Sequence, residues 1–143
     1  MSAASINKVL IETMGLKDSD LKKQKVKGML AFDAIIRKGI PCAKLQALKG
    51  ALDLTDGQVA DCLGVSLRTY QRKRDAREKL SVHEGDRFFR VARLFALASS
   101  ALGGKDAARN WLWKSQKALG DKAPIEAMQT EAGAREVEVR LQK

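Results

Sequence analysis

Apolar side chains recur at helical spacing in the first forty residues. The apolar residues of the first stretch lie three or four positions apart or side by side: Ile6, Val9, Leu10 and Met14. This spacing predicts a short amphipathic helix that ends near a glycine. Residues 17–27 are mostly charged and predict a solvated connector. A second helical pattern runs through residues 26–36 and stops at the glycine and proline of positions 39–41. We therefore expect an N-terminal helical segment over residues 1–40.

The next forty residues carry sharper indications of where helices begin and end. An apolar stripe predicts one helix, formed by Leu45, Leu48 and Leu52. Thr55 is followed three residues later by Gln58, which matches a capping box. Gly64 can adopt the positive φ of a sharp turn, and Ser66 can cap a helix over residues 67–77.

The most apolar helix of the chain is predicted for residues 84–102, where a pair of glycines ends it. A helix so rich in Phe, Leu, Val and Ala must pack on a large partner. Asp106 is placed to cap a short helix, Pro124 fits the first turn of another, and Thr130 precedes a final helix. The chain is therefore predicted to be all-α, with segments over residues 1–40, 41–82 and 83–143.

Residues within the 41–82 segment have the types and spacing of a helix-turn-helix. The small Ala60 lets two helices cross closely, Gly64 permits the turn, and Val65 and Tyr70 supply apolar contacts that fix the crossing angle. If Val65 and Tyr70 point inward, the 3.6-residue period turns arginine and glutamine side chains toward the base edges of a DNA major groove. The predicted DNA-binding residues are Gln58, Ser66, Arg68, Thr69, Gln71 and Arg72.

The charge of the chain agrees with a nucleic-acid partner. The formal net charge is +10, from 27 Lys and Arg against 17 Asp and Glu, and it is spread over the chain, so that no basic tail explains it. Residues 65–79 hold six basic and two acidic side chains, which predicts a salt-dependent phosphate contribution. A plain helical hairpin with a solvated face, or a basic helix for RNA or for a membrane surface, would show similar charge. The turn chemistry favours duplex DNA.

Catalytic and metal-binding chemistry is poorly supported. Cys42 and Cys62 lack the spacing of a zinc site, and we expect both to be buried free thiols. His83 is the single histidine and lies at a helix entry beside Glu84, which is typical of a surface residue. With no nucleophile motif and no phosphate or dinucleotide loop, we expect neither an enzyme nor a cofactor. The first twenty residues contain no signal-like apolar run, which favours a cytoplasmic protein without a membrane segment.

Two parts of the chain resemble known families. Residues 42–80 resemble the Xre-type (Xre/Cro-like) helix-turn-helix, and residues 84–142 are similar to the toxin-binding half of the Xre/MbcA/ParS antitoxins. The second resemblance is carried by EGDRFFRVARLFALAS, GGKDAARNWL and LGDKAPIEAMQTEAGAREVEVRL. Family members commonly have a proline where this chain has Ser115 and Gln116, and usually continue into an Ile-x-x-Gly tail, whereas this sequence ends at Lys143.

The resemblance implies the antitoxin of a type II toxin–antitoxin system. Such a protein binds a cognate RES-domain toxin, an enzyme that consumes NAD, and with it represses its own operon by binding double-stranded operator DNA. The C-terminal segment would approach the toxin's active site. The residues that the resemblance places at this contact are Thr130, Glu131, Arg135, Glu138, Arg140 and Lys143.

Two other functions stay open: a stand-alone helix-turn-helix repressor with no toxin partner, and a scaffold protein whose helix-turn-helix is not used. A homodimer is expected, because one recognition helix has too little contact for tight operator binding and two-fold dimers read paired half-sites. The N-terminal helices and the apolar helix over residues 84–102 are both candidate dimer interfaces.

Overall fold

The ends of the helices follow from the polar caps and glycines along the chain. The computed structural model describes residues 3–142, which are 72% helical and contain no strand. The all-α prediction is therefore confirmed. Two short 3₁₀ turns lie at Cys42–Lys44 and Lys117–Leu119. The helices are α1 (Ala3–Thr13), α2 (Asp18–Lys22), α3 (Met29–Lys38), α4 (Leu45–Leu52), α5 (Asp56–Leu63), α6 (Leu67–Asp75), α7 (Val82–Leu102), α8 (Lys105–Leu112), α9 (Pro124–Ala127) and α10 (Glu131–Leu141).

Helix α7 is the centre of the molecule. It packs against α1, α3, α5, α8 and α10. Phe88, Leu94 and Phe95 are completely buried, because apolar residues cover most of the helix circumference. Ser81 and Glu84 form a capping box at its start, and Gly103 ends it in the left-handed conformation.

The N-terminal segment differs from the prediction in one element. Residues 17–27 were expected to form a solvated connector, but they contain the short helix α2. The backbone N–H of Lys17 donates to the Asp20 carboxylate at 2.8 Å, which caps a helical turn, and Leu21 packs against the core. Helix α3 then begins after Gly28, which has φ 67°.

The helix-turn-helix segment is closed by a short antiparallel bridge between Pro41 and Lys79. The Cys42 N–H donates to the Glu78 carbonyl at 3.0 Å, and the Leu80 N–H donates to the Ile40 carbonyl at 2.7 Å. Helix α6 ends at Asp75, two residues before the predicted end, because the chain must turn back to make these bonds.

The C-terminal helices follow the predicted caps with one exception. Pro124 opens α9, and the Thr130 hydroxyl accepts the Gly133 N–H at 3.0 Å at the start of α10. Asp106 was expected to cap α8, and this is wrong. The helix begins after Gly104 without a side-chain cap, and Asp106 lies in its first turn, where it pairs with Arg109 at 3.0 Å.

Residues from all three sequence segments join one hydrophobic core, which includes Leu10, Leu63, Phe95 and Val137. None of the helices within residues 3–142 is both long and apolar enough to cross a bilayer.

Candidate functional site

The turn between α5 and α6 is built by side-chain caps and one glycine. The Thr55 N–H donates to the Gln58 side-chain oxygen at 2.8 Å, and the Gln58 N–H donates to the Thr55 hydroxyl at 3.2 Å, which confirms the capping box. Gly64 ends α5 with φ 73°. The Ser66 hydroxyl accepts the Thr69 N–H at 3.1 Å, so α6 begins where the sequence predicted.

The faces of α6 are clearly separated. Tyr70 is completely buried, and its hydroxyl accepts a hydrogen bond from the Gln46 amide at 3.3 Å. Of the six predicted DNA-binding residues, Ser66, Arg68 and Arg72 are exposed. The other three, Gln58, Thr69 and Gln71, are partly buried. All six lie on the turn, on α6 or in the first turn of α5.

Not every basic side chain of α6 faces solvent. Lys73 pairs with Glu84 at 3.0 Å, and their side chains are only 18% and 9% exposed. Burial alone would raise the pKa of Glu84, but hydrogen bonds from Ser81 and Lys73 hold that pKa below its usual value. This ion pair joins α6 to the start of α7, so the Lys73 ammonium group is engaged in a contact within the protein.

The Arg74 side chain also makes its contacts within the protein. Its guanidinium lies over the Tyr70 ring, 5.6 Å from the centroid, and donates to Asp56 at 2.9 Å. Lys49 approaches the same carboxylate at 2.7 Å. Hydrogen bonds from Lys49 and Arg74 lower the pKa of Asp56. This network could not be predicted from local sequence patterns, because its members come from three different helices.

The predicted toxin-binding residues lie along α10, with Lys143 outside the described residues. Arg135 is 77% exposed at its side chain and pairs with Glu131 at 3.0 Å, one turn away. Glu131 also lies 3.6 Å from Arg90 of α7. Arg140 pairs with Glu136 at 3.7 Å, and Thr130 is exposed at the cap. The structure thus gathers the described members of this set on one helix.

Glu138 has a contact that the sequence did not indicate. Both of its carboxylate oxygens accept hydrogen bonds from Arg93 of α7, at 3.0 and 3.1 Å. These bonds lower the pKa of Glu138, against the opposing effect of partial burial. The pair is part of an arginine row on α7, in which Arg90 also donates to the Gln129 carbonyl at 3.3 Å. This row holds α10 in place.

The outer face of α10 carries polar and apolar groups. Val139, which sequence reasoning did not single out, is 40% exposed and lies one turn from Arg135. A surface groove of about 320 Å³ runs beside the start of the helix. It is lined by Leu119, Lys122, Glu126, Ala127, Thr130 and Glu136 among others. Gly133 is required here, since a Cβ atom would overlap the Ala127 carbonyl.

The tryptophans differ in exposure. Trp111 is partly buried against the core, whereas Trp113 is more exposed and its indole N–H donates to the Leu52 carbonyl at 3.4 Å. Within residues 3–142, no three His, Cys, Asp or Glu side chains come together in a way that could hold a metal ion.

Two adjoining family matches cover residues 31–142. Residues 31–93 match the antitoxin Xre-like helix-turn-helix domain, and residues 93–142 match the antitoxin Xre/MbcA/ParS C-terminal toxin-binding domain. The chain is 26% identical over 107 residues to a protein of Photorhabdus laumondii subsp. laumondii named Antitoxin Xre, a match that covers 74% of this chain and 72% of the relative. It is 31% identical over 77 residues to an Antitoxin Xre of Pseudomonas putida, covering 54% of this chain and 48% of the relative.

Proposed function

Because this chain belongs to the Xre-type antitoxin family, we propose that it neutralises a RES-domain toxin by direct binding and represses its own operon. The observation that carries the proposal is that one chain combines an exposed recognition helix with a toxin-binding domain. The choice of an NAD-degrading RES toxin is supported by the sequence resemblance. The protein acts by binding, and we assign it no catalytic step.

The DNA-binding half of the proposal uses the first turns of α6. Arg68 and Arg72 project from it, one turn apart, and can reach base edges or phosphates in the major groove. Ser66 and Thr69 lie at the helix start, where backbone N–H groups favour phosphate. Gln58 at the start of α5 adds a further polar contact to the same duplex.

The toxin-binding half uses the outer face of α10. Arg135 and Val139 lie four residues apart on this face and offer a charge beside an apolar contact. Thr130, Glu131 and Arg140 flank them on the same helix. Such a face could cover a toxin's substrate entrance without any chemistry of its own. Glu138 contributes mainly by fixing the position of α10.

Co-expression with the cognate toxin tests the function as a whole. The neighbouring RES-type reading frame is expressed with and without this protein, and cell growth and cellular NAD are measured. We expect growth arrest and NAD loss only when this protein is absent. If its presence makes no difference while the purified protein still binds its promoter DNA, it is a stand-alone repressor.

Paired surface variants separate the two activities. R68A/R72A should weaken operator binding by roughly 1–3 kcal/mol for each side chain and leave toxin inhibition intact. R135E/V139K should weaken toxin inhibition and leave operator binding intact. Each variant is therefore the control for the other. Retained operator binding in R68A/R72A would refute the recognition-helix assignment, and retained inhibition in R135E/V139K would refute the α10 assignment.

Point variants are preferable to removal of the last helix. Ala134 and Val137 of α10 are buried in the core, so deletion of residues 130–143 would also uncover α7. A loss of toxin inhibition after that deletion would not distinguish a lost contact from a damaged fold.

A further inference from the structure

The loop that follows α6 turns back toward the exposed face of that helix. Arg77 has φ 56°, in the left-handed region, and the Glu78 N–H donates to the Lys73 carbonyl at 3.0 Å, which is the bond of a Schellman turn. The turn places the Glu78 carboxylate 3.4 Å from the guanidinium of Arg72. Because Arg72 is exposed on α6, the loop borders the surface that we assign to DNA.

Three basic side chains around this loop have no acidic partner. Arg77 and Lys79 lie in the loop, Lys38 is the last residue of α3, and all three are exposed. None of them forms an ion pair with a carboxylate in the described part of the chain, whereas Lys73 and Arg74 of α6 both do. We call Lys38, Arg77 and Lys79 the basic strip.

The members of the basic strip are neighbours in space. Lys79 forms the antiparallel bridge with Pro41, and its side chain crosses Gly39, where a Cβ atom would lie 3.0 Å from the Lys79 Cδ. Lys38 precedes Gly39 and donates one hydrogen bond to a glutamine side chain at 2.9 Å, which leaves further ammonium protons available. Two grooves meet at Pro41, one of about 430 Å³ lined by Arg77 and one of about 260 Å³ lined by Lys38.

The contact between Glu78 and Arg72 shows which chemistry this surface accepts. The two side chains are 43% and 61% exposed, so the pair contributes little to stability and can exchange its partners. A guanidinium binds the anionic oxygens of a carboxylate and of a phosphate in the same way. Glu78 therefore occupies a position on Arg72 that a phosphate oxygen can take.

The length of α6 brings the basic strip within reach of a DNA strand. A helix of nine residues is about 13 Å long, and the major groove of DNA is about 12 Å wide. When the start of α6 contacts base edges, its end therefore comes close to a wall of the groove, and that wall is a row of phosphates. The loop with Arg77 and Lys79 begins at this end of the helix.

We propose that the basic strip binds the phosphate backbone of the operator beside the recognition helix, and that Glu78 holds Arg72 until a phosphate replaces it. The inference deepens the proposed function and rests on its DNA-binding half. Phosphate contacts carry no base sequence, so the strip adds affinity and fixes the orientation of the protein on the duplex. Lys38 extends the contact beyond the helix-turn-helix to the N-terminal segment.

The salt dependence of DNA binding tests the strip. Fluorescence anisotropy measures binding of the full chain to the labelled duplex upstream of its own gene and to an unrelated duplex, from about 50 to 200 mM salt. The variant R77N/K79Q removes two charges, and asparagine tolerates the left-handed conformation at position 77. The control K114Q/K117Q removes the same charge at two exposed lysines outside the strip.

We expect R77N/K79Q to bind both duplexes about 10-fold more weakly, with the slope of log K against log salt reduced by roughly 1–2 units. The control should keep the wild-type slope, and circular dichroism should be unchanged in both variants. A wild-type slope in R77N/K79Q, or a loss confined to the operator duplex, would overturn the proposal. A loss of toxin inhibition with unchanged DNA binding would identify the strip as a protein interface and would overturn it equally.

A gain of affinity tests the role of Glu78. E78Q removes a negative charge that faces the DNA and frees Arg72, so we expect about threefold tighter binding to both duplexes. A contact that only supported the fold would give weaker binding on removal, and that result would refute the exchange of Glu78 for phosphate.

The same titrations distinguish a failed strip from a failed function. If the wild type prefers the operator and R77N/K79Q behaves like the wild type, the strip is wrong while the proposed function stands. If the wild type binds both duplexes equally and R77N/K79Q lowers the slope, the strip stands and the repressor function fails. If the wild type binds neither duplex, both are wrong.

Discussion

Gly64 in the turn of the helix-turn-helix is subject to two constraints at the level of a single residue. Its φ of 73° lies in the left-handed region, where a side chain is strained. In addition, a Cβ atom placed there would lie 2.6 Å from an Arg87 guanidinium nitrogen. The sequence indicated the first constraint through turn chemistry. The second depends on α7 and became visible only in the fold.

Replacing Gly64 with alanine should therefore destabilise the protein. We expect G64A to lower the free energy of unfolding by about 1–3 kcal/mol, measured by urea denaturation. The control is G50A in α4, where no atom lies within 4 Å of the new methyl group, and this change should raise stability by about 0.5–1 kcal/mol. Equal effects of the two substitutions would contradict this account of the turn.

Cys62 should be chemically inert in the native protein. Burial raises its pKa to about 12, with a smaller contribution from Asp61. At pH 8 a thiol with that pKa is ionised in about one molecule in ten thousand, and it is also shielded from reagents. Cys42 is buried as well, and burial raises its pKa too.

Thiol titration measures this directly. With Ellman's reagent at pH 8, we expect neither cysteine to react at the rate of an exposed thiol, and both to react once the protein is denatured. Fast labelling of one thiol in the folded protein would show that its surroundings open readily.

At the level of the helices, local chemistry could be predicted and long-range pairing could not. Thr55, Ser66 and Thr130 were identified as caps because a cap involves atoms within three residues. Glu138 was predicted as a toxin contact, but its partner Arg93 is 45 residues away in sequence. The helix α2 was missed for a related reason, because its packing through Leu21 depends on the core. Tertiary packing decides which charged residues of a helix remain free.

The Glu138–Arg93 pair should stabilise α10 on α7. We expect E138Q to lower the free energy of unfolding at neutral pH by about 1–2 kcal/mol, because it weakens a charge-assisted bidentate pair. The control E136Q, on the same helix, changes a more exposed carboxylate that lies 3.7 Å from Arg140 and should have little effect.

The effect of E138Q should depend on pH in one direction. The pKa of Glu138 is lower in the folded protein than in the unfolded chain, where it is about 4.3. The pair therefore contributes its full stability above that unfolded value and loses it as pH falls through the lower folded pKa. Denaturation at a series of pH values should show the difference between wild type and E138Q shrinking in acid. A difference that stays constant or grows in acid would exclude this ion pair as its source.

At the level of the whole molecule, α7 links the two proposed activities. The Lys73–Glu84 pair joins its start to the recognition helix α6, and Arg93 joins its middle to α10. Helix α1 packs along the same helix. The family boundary at residue 93 falls inside α7, so the division of the sequence into families does not coincide with a break in the fold.

A shared helix predicts that the molecule unfolds as one unit. Residues of α4, α5, α7, α8 and α10 belong to one buried cluster, so loss of either end exposes apolar surface at the other. Tryptophan fluorescence reports on Trp111 and Trp113 at the C-terminal side, and far-ultraviolet circular dichroism reports on all the helices. We expect both probes to give the same midpoint in urea, and a fragment of residues 41–82 to remain unfolded because it lacks α7. Separate midpoints, or a folded fragment, would mean that the DNA-binding and toxin-binding parts are stable on their own and that α7 is only a connector.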